Sequence, residues 1–445
     1  MGRASIIWLA GLAILLGTAG CTVCHSCRCT ETSCSAEGAE SPLPAVERNA
    51  LEPDLLKLAA SMKPAEPPGD AQPPHAYRAL TPQQCQCLAA QHAPLADSLD
   101  RQRQKLQQEA NDSHLCQHKS EKQRAFQESI LLYSALEIRD QAAGTTLDWY
   151  YELAGVEARA DLLNTSLDRA RDTLARMERL KKQGIRLPAP LDEYQRQIVQ
   201  LQLQQAQNQL RIEEINSRLR QAMAFDPGHH WRFWPDPSVP LSTETVPNVE
   251  EAVHLGLAER PQLLLLRAMI ADLDRDTLGA ARSLLQSINP LLGMSDPPAH
   301  CKLLTVVGKI LHIQPGQDAE VERVRAQLTD YLHERERKVE ADIREAAYEV
   351  HARRKLVILA RQVVARWEER IKDLEKQHAQ GLPVFADLTS AYMESYKSRG
   401  EVIKEFLGWK IAAVKVKQAQ GILPAECGYT SGGPCETCEA CITDP

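Results

Sequence analysis

Apolar residues recur along the second half of the chain at steps of four and three. Val339, Ile343, Ala346, Val350, Val357, Ala360, Val364, Trp367, Ile371 and Leu374 form one such series, and Arg353 is its only polar member. A period of 3.5 residues puts them all on one stripe of a helix and predicts a left-handed supercoil with a neighbour. The pattern stops at Gly381-Leu382-Pro383 and returns as Phe385, Leu388, Tyr392, Val402, Phe406, Trp409, Ala413 and Val416. Two long helices joined by a short turn predict an antiparallel hairpin. At 1.5 Å per residue the arm from Leu332 to Gln380 would be about 70 Å long. Such a helix must lie against neighbours along its whole length.

The same unit occurs earlier. Val156, Ala160, Leu163, Leu167, Ala170, Leu174 and Met177 lead to Gly184. After Leu187-Pro188-Ala189-Pro190 the return series is Tyr194, Ile198, Leu201, Ile212, Ile215 and Leu219, interrupted by Gln205 and Asn208. Upstream of each hairpin, residues 81–99 align with 248–266, so that Pro94 falls on Pro261 and Leu88 on Leu255. The chain therefore reads as two tandem repeats, 81–225 and 248–421, joined by an aromatic and Pro-rich linker at 226–247. Period-two runs are nearly absent. The expected fold is all-α: two tandem long antiparallel coiled-coil hairpins.

The remaining segments differ in character. Residues 1–21, MGRASIIWLAGLAILLGTAGC, carry Arg3, an apolar run from Ile6 to Leu16 and a small-residue end. That is a secretory signal, too short for a comfortable transmembrane helix. Its Ala-Gly-Cys end resembles a bacterial lipoprotein signal, which implies acylation of Cys21 as the mature N-terminus. Thr22 after it implies sorting to the outer membrane. Residues 22–80 read as a Cys-rich and then Pro-rich tether with at most one short helix near Leu51–Met62. Residues 422–445 read as a Cys-rich tail.

The chain has 13 cysteines. Cys21, Cys24, Cys27, Cys29 and Cys34 cluster at one end, and Cys427, Cys435, Cys438 and Cys441 at the other. Cys85, Cys87, Cys116 and Cys301 lie between. Export implies an oxidising space, where disulfides are expected. The two-residue spacings also suit a thiolate metal site, which makes Cys24, Cys27, Cys29, Cys34, Cys435, Cys438 and Cys441 candidate ligands. Cys21-Thr-Val-Cys24-His25 matches a haem-attachment motif in form, but that use competes with acylation of Cys21.

Composition narrows the function. Aromatic residues make up only 5% of the chain, against the aromatic girdles of a large transmembrane β-barrel. A net charge of −7 lacks the basic footprint of a nucleic-acid binder. There is no Ser/His/Asp arrangement, phosphate-binding Gly loop or His-Glu-x-x-His motif, so no enzyme and no cofactor is expected. His229-His230 beside Trp231 and Trp234 reads as a packed linker.

These features together resemble the outer membrane efflux protein family, of which TolC is the best-known type. Each repeat in that family opens with a short helix ending in an Asn-Pro-like turn; His92-Ala93-Pro94 and Glu259-Arg260-Pro261 stand there. Each hairpin tip reads Gly, a few residues, then Asp and an aliphatic residue. Gly381 to Leu388 fits, and Gly184 to Asp192 fits with two extra residues and Glu193 after the Asp. The resemblance spans about 340 of the 445 residues.

It implies a homotrimer whose hairpins close a twelve-helix α-barrel, a passive conduit in a tripartite export system. The tips, with Gly184, Ile185, Gly381 and Leu382, would contact a periplasmic adaptor linked to an inner-membrane pump. Asp192 and Asp387 would be carboxylates at the tunnel mouth. A helix N-cap is the equal alternative for Asp387. The implied location is the outer membrane, lipid-anchored and mostly periplasmic. One feature departs from the family. The two β-hairpins expected near 115–150 and 285–315 are missing as alternating strands: the first region reads as helix with a weak break at Gly144, and the second offers only Leu303–Ile313. A lipid-anchored coiled-coil scaffold without channel activity is therefore the second expectation.

Overall fold

The computed structural model describes residues 45–46, 77–111, 121–184, 190–226, 228, 231–235, 248–288, 317–380, 384–430 and 433–434. Contacts divide the chain into two compact units. One takes in Leu95–Glu137 and Leu257–Glu340; the other takes in Ser41–Pro94, Ile138–Gly256 and Ala341–Pro445.

Ten helices run along the described residues. α1 (Pro82–Gln91), α2 (Pro94–Asn111), α3 (Glu121–Lys182) and α4 (Leu191–Ala222) come first. α5 (Val249–Glu259), α6 (Pro261–Ala271), α7 (Leu278–Ile288), α8 (Gln317–Ala379) and α9 (Phe385–Gln420) follow, then the single turn α10 (Leu423–Glu426). α3 runs for 62 residues and α8 for 63. Pro94 and Pro261 each open a helix, where a missing N–H costs nothing. Thr81 starts the series with a capping box: its Oγ1 accepts from the Gln84 N–H at 3.1 Å, and Gln84 Oε1 accepts from the Thr81 N–H at 3.0 Å. Gly421, at φ 74°, ends α9 in the left-handed region that glycine adopts without strain.

The smaller unit is helical in its described residues apart from Arg260 and the turn at 272–277. Phe126 of α3, Leu266 and Met269 of α6, Leu278, Ala281 and Leu285 of α7, and Val321, Val324, Leu328 and Tyr331 of α8 form its core. Gln123 donates from Nε2 to the Asp276 carbonyl at 2.8 Å, and Arg325 from Nη2 to the Leu273 carbonyl at 2.9 Å. α3 passes through Gly144 without a break, so the interruption expected there does not occur. Among the described residues no strand exceeds four residues.

The larger unit holds short strands that the sequence reading placed in a tether and a linker. β1 (Ala45–Val46), β2 (Tyr77–Leu80) and β3 (Arg232–Pro235) form one sheet in that order. β1 pairs antiparallel with β2, with Ala45 opposite Arg78. β3 pairs parallel with β2, from Tyr77 opposite Arg232 to Leu80 opposite Pro235. All four β3 residues are buried. The Phe233 N–H donates to Asn216 Oδ1 of α4 at 2.8 Å. The linker is thus part of the core, and Trp231 and Phe233 pack with their ring centroids 4.9 Å apart. β4 (Tyr429–Thr430) and β5 (Gly433–Pro434) pair beyond α10.

A disulfide between Cys87 of α1 and Cys427 joins chain positions 340 residues apart, with Cα atoms 5.1 Å apart. It fastens α10 against α1. Gln86 of α1 adds Nε2 bonds to the Leu423 carbonyl at 2.9 Å and to Glu426 Oε2 at 3.0 Å. The guanidinium of Arg139 lies 4.3 Å from the Tyr429 ring centroid and donates from Nε to the Ala90 carbonyl at 3.2 Å. The core beneath contains Leu80, Cys85, Leu147, Tyr150, Ile212, Ile215, Leu219, Phe233, Val414 and Leu423. Burial pushes the Cys85 thiol well above its usual range.

Candidate functional site: the row of long helices and its tips

The heptad stripes meet as predicted. Val339, Ile343, Val350, Val357, Val364, Ile371 and Leu374 of α8 are all buried. Near the tip, Ile371 and Leu374 pack against Leu388 and Ala391 of α9, with Trp367, Val384 and Tyr392 at the margin. Arg353, the polar member of the stripe, donates from Nη1 to Glu405 Oε2 of α9 at 2.9 Å. Nearer the tip of the same pair, Arg399 Nη2 meets Glu368 Oε1 at 3.0 Å.

α3 and α4 pair in the same manner, and their polar interruptions have partners. Asn208 donates from Nδ2 to the Val156 carbonyl at 2.8 Å, and Gln205 from Nε2 to Asn164 Oδ1 at 2.8 Å. Arg211 donates from Nε to Glu152 Oε1 of α3 at 2.7 Å.

The two hairpins are joined through α3 and α9. Leu162 of α3 packs with Tyr396 and Ile403 of α9. A Cβ at Gly155 would collide with Leu407, and one at Gly144 would lie 2.5 Å from the Gln418 side chain. These two glycines let the helices approach closely at both places. Arg169 of α3 lies 3.8 Å above the Tyr392 ring centroid. The order across the larger unit is therefore α4, α3, α9, α8. The outer helices are α4 and α8.

Each outer helix carries an apolar series that the described residues leave uncovered. On α4, Val199, Leu203 and Leu210 are 62%, 58% and 62% exposed. With Ala206 they step four, three and four, a second heptad phase. Asn208 and Ile212 mark the side of α4 that faces α3, and at 100° per residue the series lies about opposite. On α8, Tyr348, Leu356, Leu359 and Val363 are 61%, 44%, 56% and 46% exposed.

The tips are built differently from each other. Gly184 has φ 74° and donates its N–H to the Lys181 carbonyl at 3.0 Å, closing α3. No described residue lies within 4 Å of where a Cβ would sit, so the positive φ is the reason for a glycine here. Asp192 is the second residue of α4 and is exposed. Asp387 is also exposed, and it is the third residue of α9. The N-cap position there belongs to Val384, which makes no side-chain capping bond. The capping alternative for Asp387 is therefore corrected. Both carboxylates sit in a first turn, where the positive helix end favours them.

Several predicted positions fall outside the described residues: the signal and Cys21, the candidate ligands Cys24, Cys27, Cys29, Cys34, Cys435, Cys438 and Cys441, and the tip residues Ile185, Gly381 and Leu382. So do His229, His230 and Leu303–Ile313.

No family model matches the sequence, and no curated protein does. Solved structures do match the fold. The outer membrane protein VceC of Vibrio cholerae aligns with a TM-score of 0.51 at 11% identity, over 76% of this chain and 96% of its own. The outer-membrane channel OprN aligns at 0.50 and 12%, over 67% and 71%. A membrane protein from Pseudomonas aeruginosa aligns at 0.50 and 14%, over 67% and 70%. The chain therefore has the fold of outer membrane channel proteins, in a divergent TolC-like form. The resemblance read from the sequence holds at the level of the fold.

Proposed function

We propose that the chain is the outer-membrane component of a tripartite efflux system, a homotrimer whose hairpins enclose a passive conduit across the periplasm. The observation that carries this reading is the pair of uncovered apolar series on α4 and α8. They lie on the two outer helices of the row, so copies can associate head to tail, α4 of one against α8 of the next. A cyclic arrangement closes such contacts and leaves neither series in water. α4 and α8 run in opposite directions, which continues the alternation within the row. The hairpin tips, with Gly184, Ile185, Gly381 and Leu382, would meet a periplasmic adaptor. Asp192 and Asp387 would ring the mouth, and an inner-membrane pump would supply energy. The Cys87–Cys427 disulfide supports an oxidising compartment, and a lipid on Cys21 would hold the assembly to the outer membrane.

A second reading is favoured by one observation. Described strands reach at most four residues, whereas a bilayer-spanning strand needs about nine to eleven. A lipid-anchored scaffold of the same hairpins, without its own pore, fits that observation. Planar-bilayer conductance of the purified trimer decides between them. Stable single-channel steps would support the conduit with its own membrane pore. Trimers without steps would support the scaffold.

A further inference from the structure

Asp148 sits where the two hairpins meet. It lies on α3 between Gly144 and Gly155, the positions at which Gln418 and Leu407 of α9 press against the helix. Its Oδ1 is buried and has no hydrogen-bond partner. The charged groups facing it come from both sides of the seam. Lys415 of α9 attracts its charge, and Glu152, one turn further along α3, repels it. Glu152 is held in turn by Arg211 of α4. Lys415 is shared with Glu349 of α8, at 3.5 Å. Asp148 thus joins a chain of charges that touches all four long helices.

We infer that the α3–α9 seam is a proton-sensitive latch between the hairpins, with Asp148 as the titrating group and Lys415 and Glu152 as the groups that poise it.

Burial is the largest influence on Asp148, followed by Lys415 and then Glu152, and its carboxyl is pushed up from 3.8 to about 6. In the docked seam the group holds a proton more tightly than it would in water. Docking is therefore favoured by acid. The added stability is fully present below the ordinary carboxylate value and is lost as pH rises through about 6. A gap of this size changes the docking equilibrium by roughly tenfold to a hundredfold. On the trimer reading, acid would hold the two hairpins of each copy together and neutral pH would let them part. The latch itself acts within one chain and does not depend on that reading.

Hydrogen–deuterium exchange on the full-length protein tests it, at pH 5.0 and 7.5 and corrected for the intrinsic exchange rate. Protection in the stretches 143–160 and 400–418 should be roughly tenfold greater at pH 5.0. Asp148→Asn should show the same high protection at both values. Lys415→Met, which removes the attraction, should move the midpoint to higher pH. Equal protection of the wild type at both values would overturn the latch, as would an Asp148→Asn variant that keeps the pH response. Light scattering at each pH reports the oligomer separately, so a monomer would sink the trimer reading and leave the latch measurable.

Discussion

The guanidinium of Arg353 on α8 donates to the carboxylate of Glu405 on α9 at 2.9 Å, and Gly408, one turn from Glu405, leaves room for it. A Cβ at Gly408 would come within 3.2 Å of the guanidinium. Glu405 is nearly covered, and Glu349 takes a second side of Arg353 at 3.4 Å. The pair fixes the register of the second hairpin at a position where the heptad supplies no apolar contact. Glu405→Ala leaves a partly covered arginine without its main partner. It should cost about 1–3 kcal/mol, and chemical denaturation would measure the loss. The double variant Arg353→Met with Glu405→Leu should recover most of it, because an apolar pair of similar volume needs no compensation.

The Cys87–Cys427 disulfide closes a chain segment of 340 residues. Cys87→Ser with Cys427→Ser should lower stability by about 2–5 kcal/mol, read as a drop in thermal midpoint. Limited proteolysis should then cut near α10 first, since without the covalent bond that turn keeps non-covalent contacts alone, among them the Gln86 bonds to Leu423 and Glu426, the Lys417–Glu426 pair and Arg139 over Tyr429. Unchanged cleavage in the double variant would show that the bond does not hold the tail.

Gly256 on α5 packs where a Cβ would collide with Ile343 of α8 and lie 3.3 Å from the Gln420 Cα. The second contact is backbone and cannot swing aside. Gly256→Val should therefore destabilise by about 1–3 kcal/mol. Gly279, with nothing around the corresponding position, is the control: Gly279→Ala, in a helix, should be neutral or slightly stabilising.

Much of this architecture is visible in the sequence, because a heptad seam is a one-dimensional record of burial. The series from Val339 to Leu374 gives the α8–α9 contact directly, and Pro94 and Pro261 mark where each repeat turns. Other parts leave no such record. β3 buries all four of Arg232–Pro235, so it has no alternation to read. The Cys87–Cys427 pairing depends on how the ends of two repeats come together, which spacing does not encode. Gly144 resembles a helix breaker by propensity, yet it serves a close approach of Gln418. The apolar series on α4 did leave a signal, in Val199, Leu203, Ala206 and Leu210. It was hidden because the same helix carries the inward stripe in another phase.

The order α4, α3, α9, α8 makes the two outer series the decisive feature of the account. Leu203 and Leu359 are each more than half exposed in one chain, so charge at either position should change chain stability by no more than about 0.5 kcal/mol. The most direct measurement is the light-scattering mass of the purified protein, beside Leu203→Glu and Leu359→Glu. Three times the mass of one mature chain is expected for the wild type, and single chains of unchanged helicity for both variants. A wild-type mass of one chain, or variants that remain trimeric, would contradict it.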